Sequence, residues 1–207
     1  MLHSGVMVDG ILFDVGERSY LERGPKAIFL THLHVDHAFF TGQEAGPLPV
    51  PAYAPQRWEG HPEIRLAQGT RDVDGVAVTA VPTVHSNTYR SCAYIMDDGV
   101  SRIMYTGDLI TIKRRYRDRI PELDLVITDG AFMRRGGLVR RDGNGRPHGH
   151  NGIPDLVRLF SPVSKRIVFM HFGSWFFHDV DDSVRRISSL SNASTVEAAH
   201  DGMVIEL

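Results

Sequence analysis

The chain has 207 residues, 42% of them hydrophobic, which suffices for one sizeable core and is short for two independent ones. Its formal charge of -2 excludes a globally polybasic nucleic-acid coat, although residues 113–146 hold ten Lys/Arg against five Asp/Glu and leave the remainder at -7. The one cysteine, Cys92, forms no internal disulfide, no span reaches the length a bilayer demands, and the N-terminus lacks a signal peptide's cationic start. A single soluble, cytoplasmic domain over 1–207 is the expectation.

In chain order, "VMVDGILFDV" predicts a β-hairpin turning at Asp9-Gly10 and ending near Asp14, because Asp-Gly supplies the positive φ angles of two-residue turns. "KAIFLT" is an apolar run that ends on His32, within "FLTHLHVDHAFF", where His32, His34, Asp36 and His37 fall in six positions. "RDVDGVAVTAV" predicts a second hairpin leading to His85, and "YIMDDGVSRIMYTGD" a third leading to Asp108. The windows "KRRYRDR" and "RRGGLVRRDGNGR" read as solvated faces, or as the rim of a cleft that attracts an anion. Residues 134–150, rich in Gly and Arg without apolar periodicity, read as a mobile loop. Ile153, Leu156, Val157 and Phe160 predict a helix with Pro154 near its start, and Val184, Ile187 and Leu190 another that begins near Asp181 or Asp182. Between them "RIVFM" ends on His171, and "AAHDGMVIEL" predicts a fourth hairpin. Hairpins interleaved with few helices point to a layered α/β arrangement with mixed sheets.

A lone histidine after a strand is most often structural, but here several β-like runs each end on a metal-competent side chain. His32 and His34, one residue apart in extended chain, can project to one side, with Asp36 and His37 a short turn further on. The spacing offers two adjacent sites. Imidazole and carboxylate suit zinc, manganese or iron, and the lack of thiolate argues against a closed cysteine-type zinc site.

"THLHVDH" resembles the H-x-H-x-D-H signature of the metallo-β-lactamase fold superfamily, and "FDVGE", "VHSNTYRSCAYIMDDG", "YTGD" and "VFMHFG" look like its other motifs in order. The resemblance implies a four-layer αββα sandwich with two mixed sheets. It implies that His32, His34 and His85 hold one metal, that Asp36, His37 and His171 hold a second, and that Asp108 bridges them while Asp14 orients the cluster. Two divalent ions are expected, with Zn2+ the first choice and Mn2+ or Fe2+ the alternatives. Within the superfamily the motifs most resemble ribonuclease Z and the phosphoribosyl cyclic phosphodiesterases, where a histidine contacts phosphate; His150 matches it best and His148 next. A leading glycine-rich strand and a long tRNA-gripping arm are not visible, which speaks against tRNA 3′-end processing.

The implied chemistry is hydrolysis by metal-activated water, with Asp36, Asp108 and His150 as the catalytic side chains and a phosphodiester as substrate. A thioester or lactone hydrolase is the alternative, and a non-hydrolytic metal-binding or redox module a third reading. Expected partners are a small anionic substrate or a nucleotide or RNA end, with no membrane; a homodimer is compatible with this. His200 is expected in a hairpin or orienting a ligand, His178 at a helix entrance, and His3 and His61 exposed. Trp58, Trp175, Phe176 and Phe177 are expected in the core or a pocket wall.

Overall fold

Asp9 and Gly10, with φ of 49° and 80°, join β1 (Val6–Val8) to β2 (Ile11–Phe13), so that Val8 faces Ile11 as the Asp-Gly turn requires. The computed structural model describes residues 3–42, 46–190 and 193–207. β2 continues in parallel through β3 (Ala27–Phe29), β4 (Ala52–Ala54) and β5 (Arg65–Leu66), completing a five-stranded mixed sheet. The Asp74-Gly75 turn joins β6 (Thr70–Val73) to the long β7 (Val76–Val84). β8 (Cys92–Asp97) returns to β9 (Arg102–Tyr105) through residues 98–101, whose turn is held by Asp98 Oδ1 accepting from the amides of Val100 and Ser101.

β10 (Thr111–Ile112) pairs with the end of β7, and the single turn α1 (Arg114–Arg117) follows. β11 (Leu125–Asp129) lies parallel to β9, then β12 (Leu138–Arg141) and β13 (Pro147–His150) form a separate antiparallel ribbon. After α2 (Ile153–Phe160) comes β14 (Arg166–Met170), parallel to β11; α3 (Ser174–Phe177), α4 (Val180–Ser188) and β15 (Thr195–Ala198), parallel to β14, complete the order. The second sheet is therefore antiparallel from β6 to β9 and parallel from β9 through β15.

The two sheets pack face to face through Ile11, Phe13 and Phe29 on one side and Val78, Tyr94, Met96 and Val168 on the other. The far face of the second sheet buries Met104, Val126 and Ile167 against Leu156 and Phe160 of α2 and Ile187 of α4. α2 buries the four predicted residues, and Pro154 stands in its first turn. α4 is capped by Asp179, whose carboxylate accepts from the Asp182 amide, while Asp181 and Asp182 occupy its first turn. Its buried face runs through Ser183 and Ile187; of the predicted residues, Ile187 is fully buried and Leu190 packs on the same core just past the helix, while Val184 is exposed. The far face of the first sheet is covered by 3-10 turns and loops carrying Phe39, Phe40, Leu48 and Ile64. The αββα order thus holds with one outer layer reduced to turns, because Pro47, Pro49, Pro51, Pro55 and Pro62 stud its connections and cannot sit inside helices.

Four expectations are corrected. Asp201-Gly202 closes a turn, with Met203 donating to the His200 carbonyl, but residues 199–207 add no strand; Ile205 packs on the inter-sheet core instead. Within residues 134–150, residues 138–150 are the paired β12–β13 ribbon, whose order comes from backbone hydrogen bonds that hydrophobic periodicity does not register. His61 is buried, with Nδ1 donating to Glu63 Oε1 at 2.9 Å and its ring 4.5 Å from Phe40. Phe177 is 54% exposed, outside both core and pocket, whereas Phe176 is core. No helix among the described residues is long and apolar enough to cross a membrane.

Candidate metal centre

β7, β9, β11 and β14 run in one direction, so the residues at or just past their C-terminal ends, His85, Asp108, Asp129 and His171, meet along one edge. β2 and β3 deliver Asp14 and His32 to the same edge. The chain leaves these strands sharply: Asp14 and His171 take φ of 58° and 59°, and Gly107, before Asp108, takes 56°. Any Cβ at Gly107 would overlap the Thr31 side chain. Left-handed non-glycine residues are costly and persist where surrounding structure enforces them. His34, Asp36 and His37 follow β3 on a turn in which the amides of His37 and Ala38 donate to the His34 carbonyl.

In the first group, His32 Nε2 lies 2.9 Å from His34 Nδ1, which lies 3.3 Å from His85 Nε2. Asp108 Oδ2 is 3.3 Å from His85 Nε2 and 3.7 Å from His32 Nε2. His85 donates Nδ1–H to the Gly149 carbonyl at 2.8 Å, which leaves Nε2 as a lone pair. Burial, then the neighbouring His37, holds His32 well below the usual histidine range. Burial and His85 pull His34 down to about 4, and burial also lowers His85. These are neutral imidazoles with converging lone pairs, the form that ligates metal.

In the second group, His37 donates Nδ1–H to Asp14 Oδ2 at 2.7 Å and turns Nε2 toward Asp108 Oδ1 at 3.2 Å. His171 Nδ1 is 3.2 Å from that same oxygen, and its Nε2 is 3.2 Å from Asp36 Oδ2. Burial by itself would lower both histidines, but Asp108 with Asp14 lifts His37 to about 10, and Asp108 with Asp129 and Asp36 lifts His171 to about 11. Burial pushes Asp108 up, yet His37 and His171 hold it well below the usual carboxylate range. Burial likewise raises Asp36, and the hydrogen bond with His171 brings it below its ordinary value.

Asp108 thus turns one oxygen to each group. His37 Nε2, Asp108 Oδ1 and His171 Nδ1 are buried without a hydrogen-bond partner and face one another. Each buried unpaired polar atom costs about 1–3 kcal/mol. Imidazole and carboxylate atoms left unpaired around a shared carboxylate, with no thiolate, fit two divalent cations. Asp14 is fully buried and accepts from the Thr31 amide at 2.7 Å, from the Thr31 hydroxyl, from His37, and from the Tyr105 hydroxyl at 2.8 Å.

Asp129 was not among the sequence-derived residues. Its Oδ2 accepts from His150 Nδ1 at 2.7 Å and from the Leu109 amide, and its Oδ1 accepts from the Ala131 amide. "LVITD" is one more apolar run ending on a carboxylate, so the pattern that singled out the others also contained it. The ribbon brings His150 to the cluster, its ring 4.9 Å from His85 and 6.0 Å from His171. Burial lowers His150, but the bond to Asp129 raises it above the usual histidine value.

The other residues divide clearly. His148 is half-buried on the ribbon without a hydrogen-bond partner for Nδ1. His200 is exposed, with Nδ1 donating to the Asp201 carbonyl, and it takes no part in the site. His178 caps α3 immediately before α4, as expected, and His3 is exposed. The Tyr89 ring stands 5.2 Å from His34, with Trp58 behind it, and Trp175 donates Nε1–H to the Ala131 carbonyl beneath the Asp129 turn. In the arginine windows, Arg114 pairs with Asp118 and Arg134 donates to the Gly137 carbonyl, while Arg140 and Arg141 stand exposed on the ribbon.

The family described as "Beta-lactamase superfamily domain" matches residues 15–172, which span all the clustered residues except Asp14. No curated protein matches the sequence. Among solved structures, the metallo-beta-lactamase fold protein YhfI from Bacillus subtilis is 19% identical, with a TM-score of 0.70 over 98% of this chain and 90% of that one. A diphosphatase from the PhnP family is 19% identical, with a TM-score of 0.68 over 98% and 83% of the two chains. The short form of human tRNase Z is also 19% identical, with a TM-score of 0.60 over 98% and 90%. With a family match over most of its length and a shared fold, the chain belongs to the beta-lactamase superfamily and has the metallo-beta-lactamase fold.

Proposed function

We propose that the protein is a dinuclear metal-dependent phosphodiesterase of the branch that includes ribonuclease Z and the phosphoribosyl cyclic phosphodiesterases. The observation that carries this reading is His150, fixed through Nδ1 by Asp129 at 2.7 Å, beside an Asp108 carboxylate whose one oxygen faces His32 and His85 and whose other faces His37 and His171. His32, His34 and His85 would hold one ion, Asp36, His37 and His171 the other, and Asp108 both; zinc is the first expectation. Bound ions supply Lewis acidity at the phosphoryl oxygens and acidify water near neutral pH. Asp36, kept ionised beside His171, would accept a proton from the attacking water. His150, whose Nδ1–H is committed to Asp129, presents Nε2 to donate a proton to the leaving oxygen as its bond to phosphorus breaks. Two structurally similar proteins are named as a diphosphatase and a tRNase, which accords with phosphate chemistry.

Bis(p-nitrophenyl) phosphate, a thioester and a lactone, assayed on metal-loaded protein, test the proposal. His150→Ala should lower phosphodiester turnover on the order of 100-fold and leave two metals per chain. Equal loss on the carbonyl substrates would favour the thioester or lactone reading. Loss of one metal would make His150 a ligand.

A further inference from the structure

We infer that Asn151 is a positioning residue for the proposed proton donor: its side chain locks the β12–β13 ribbon to the segment that follows Asp108, and so fixes His150 against the metal-binding residues. The inference rests on the role proposed for His150. Asn151 is half-buried and uses both ends of its side-chain amide. Its Nδ2 donates to the Ile110 carbonyl at 2.9 Å, its Oδ1 accepts from the Gly152 amide at 2.8 Å, and its backbone amide donates to the Leu109 carbonyl at 2.8 Å. Flipping the side-chain amide would set nitrogen against the Gly152 N–H and oxygen against the Ile110 carbonyl, so the surroundings fix its orientation.

These contacts close two rings that share the His150–Asn151 link. In the first, Asp129 Oδ2 accepts from both His150 Nδ1, at 2.7 Å, and the Leu109 amide, at 3.1 Å, while the Leu109 carbonyl accepts from Asn151. In the second, the Asn151 side chain holds Ile110, and the Ile110 amide donates to the Val84 carbonyl at 2.8 Å. His85, next in the chain, then exchanges hydrogen bonds with Gly149 in both directions, each at 2.8 Å. The second ring closes only through the Asn151 side chain, and it ties the proton donor to the neighbours of both His85 and Asp108.

If that side-chain bond is cut, the ribbon is the part that gives. His85 and Asp108 lie just past β7 and β9 inside the eight-stranded sheet, whereas β12 and β13 form a two-stranded ribbon of their own. The bonds of Gly149 and Asp129 remain, so the expected result is a displaced His150 rather than a detached one. A proton donor works only within hydrogen-bond reach of the leaving oxygen. Misplacement by about 1 Å costs on the order of 100-fold in rate.

Metal-loaded protein tests this in two ways. Nitrogen-15 NMR follows exchange of the His150 Nδ1 proton with water, a measurement that needs no turnover. Asn151→Asp keeps the acceptor for Gly152 and removes the donor to Ile110, and it should speed this exchange by about 10-fold, the scale of one hydrogen bond. Asn151→Ser, too short to reach Ile110, should do the same without an added charge. Asp142→Ala, which frees the amides of Asn144 and Arg146 at the ribbon's tip, should leave the exchange unchanged. The second test compares diphenyl phosphate with bis(p-nitrophenyl) phosphate. Both Asn151 variants should keep two metals and a nearly unchanged KM, and should lose about 100-fold in kcat on the phenyl ester. The loss should be smaller on the nitrophenyl ester, whose leaving oxygen depends less on a proton. In a His150→Ala background they should cost little more, because they act through that residue. Wild-type exchange in both Asn151 variants would overturn the inference, as would an equal effect of Asp142→Ala, an equal loss on the two esters, or a loss that adds in full to that of His150→Ala. If the wild type cleaves neither ester, the phosphodiesterase reading fails, and the exchange measurement alone decides whether Asn151 fixes His150.

Discussion

Asp129 governs His150 through one short hydrogen bond, and its effect is testable in the pH dependence. The bond and charge of Asp129 offset the lowering by burial and raise His150 above the usual histidine value, so its acid form persists to higher pH. Asp129→Asn keeps the shape and removes the charge. Under the proposed role of His150 as proton donor, the alkaline limb of the kcat/KM profile on a phosphodiester should then move to lower pH, because that proton would be lost earlier as pH rises. A profile that falls in height without moving would reduce Asp129 to a structural support. His32, His34, Asp36 and His37 were legible in the sequence because they crowd into six positions; Asp129 ends an apolar run as the other strand-end residues do, but it has no neighbouring ligand-type residue to single it out, and its contact with His150 is what gives it a place.

At the scale of elements, the strand ends explain the site and the β12–β13 ribbon completes it. The apolar runs before Asp14, His32, His85, Asp108 and His171 were readable as strands, and each became one. The ribbon was not readable, since its pairing is backbone to backbone and its docking depends on Gly149. That residue has φ of 117°, and a Cβ there would overlap the Leu138 carbonyl. Gly149→Ala should destabilise the protein by about 1–3 kcal/mol, from the strained backbone and the forced separation. Urea unfolding measures that loss. Phosphodiester turnover should fall further than the unfolded fraction accounts for, because the same substitution displaces His85 and His150 together. Activity that merely tracks the folded fraction would mean that the ribbon's position is unimportant.

For the whole molecule, the site ties together strands from both sheets, so its charge state enters global stability. His37 rises to about 10 in the folded protein against an ordinary value of 6.5. A raised pKa contributes stability that is fully present below about 6.5 and is lost as pH climbs through the folded value. In chelated protein the melting temperature should therefore fall between about pH 7 and pH 10. Ions that replace the proton should remove this dependence and raise the melting temperature by mass action, so the loaded protein should melt higher and vary less over the same range. A flat profile for the chelated protein would show that the His37–Asp108–Asp14 arrangement does not carry this charge.

By itself the sequence determined the strands that lead to Asp14, His32, His85, Asp108 and His171, three of the hairpins, the α2 face and the crowded histidine motif, because each follows from local rules of periodicity, turn geometry and spacing. Tertiary structure decided the rest. Asp201-Gly202 became a plain turn because Ile205 found the inter-sheet core, and His61 was buried because Phe40 and Glu63, distant from any periodic signal, met it there. On α4, capped at Asp179, Ser183 rather than Val184 joins Ile187 on the buried face. The pairing of Asp129 with His150 and the tie of Asn151 to Ile110 depend on strand register and on contacts across the fold, which no local pattern encodes.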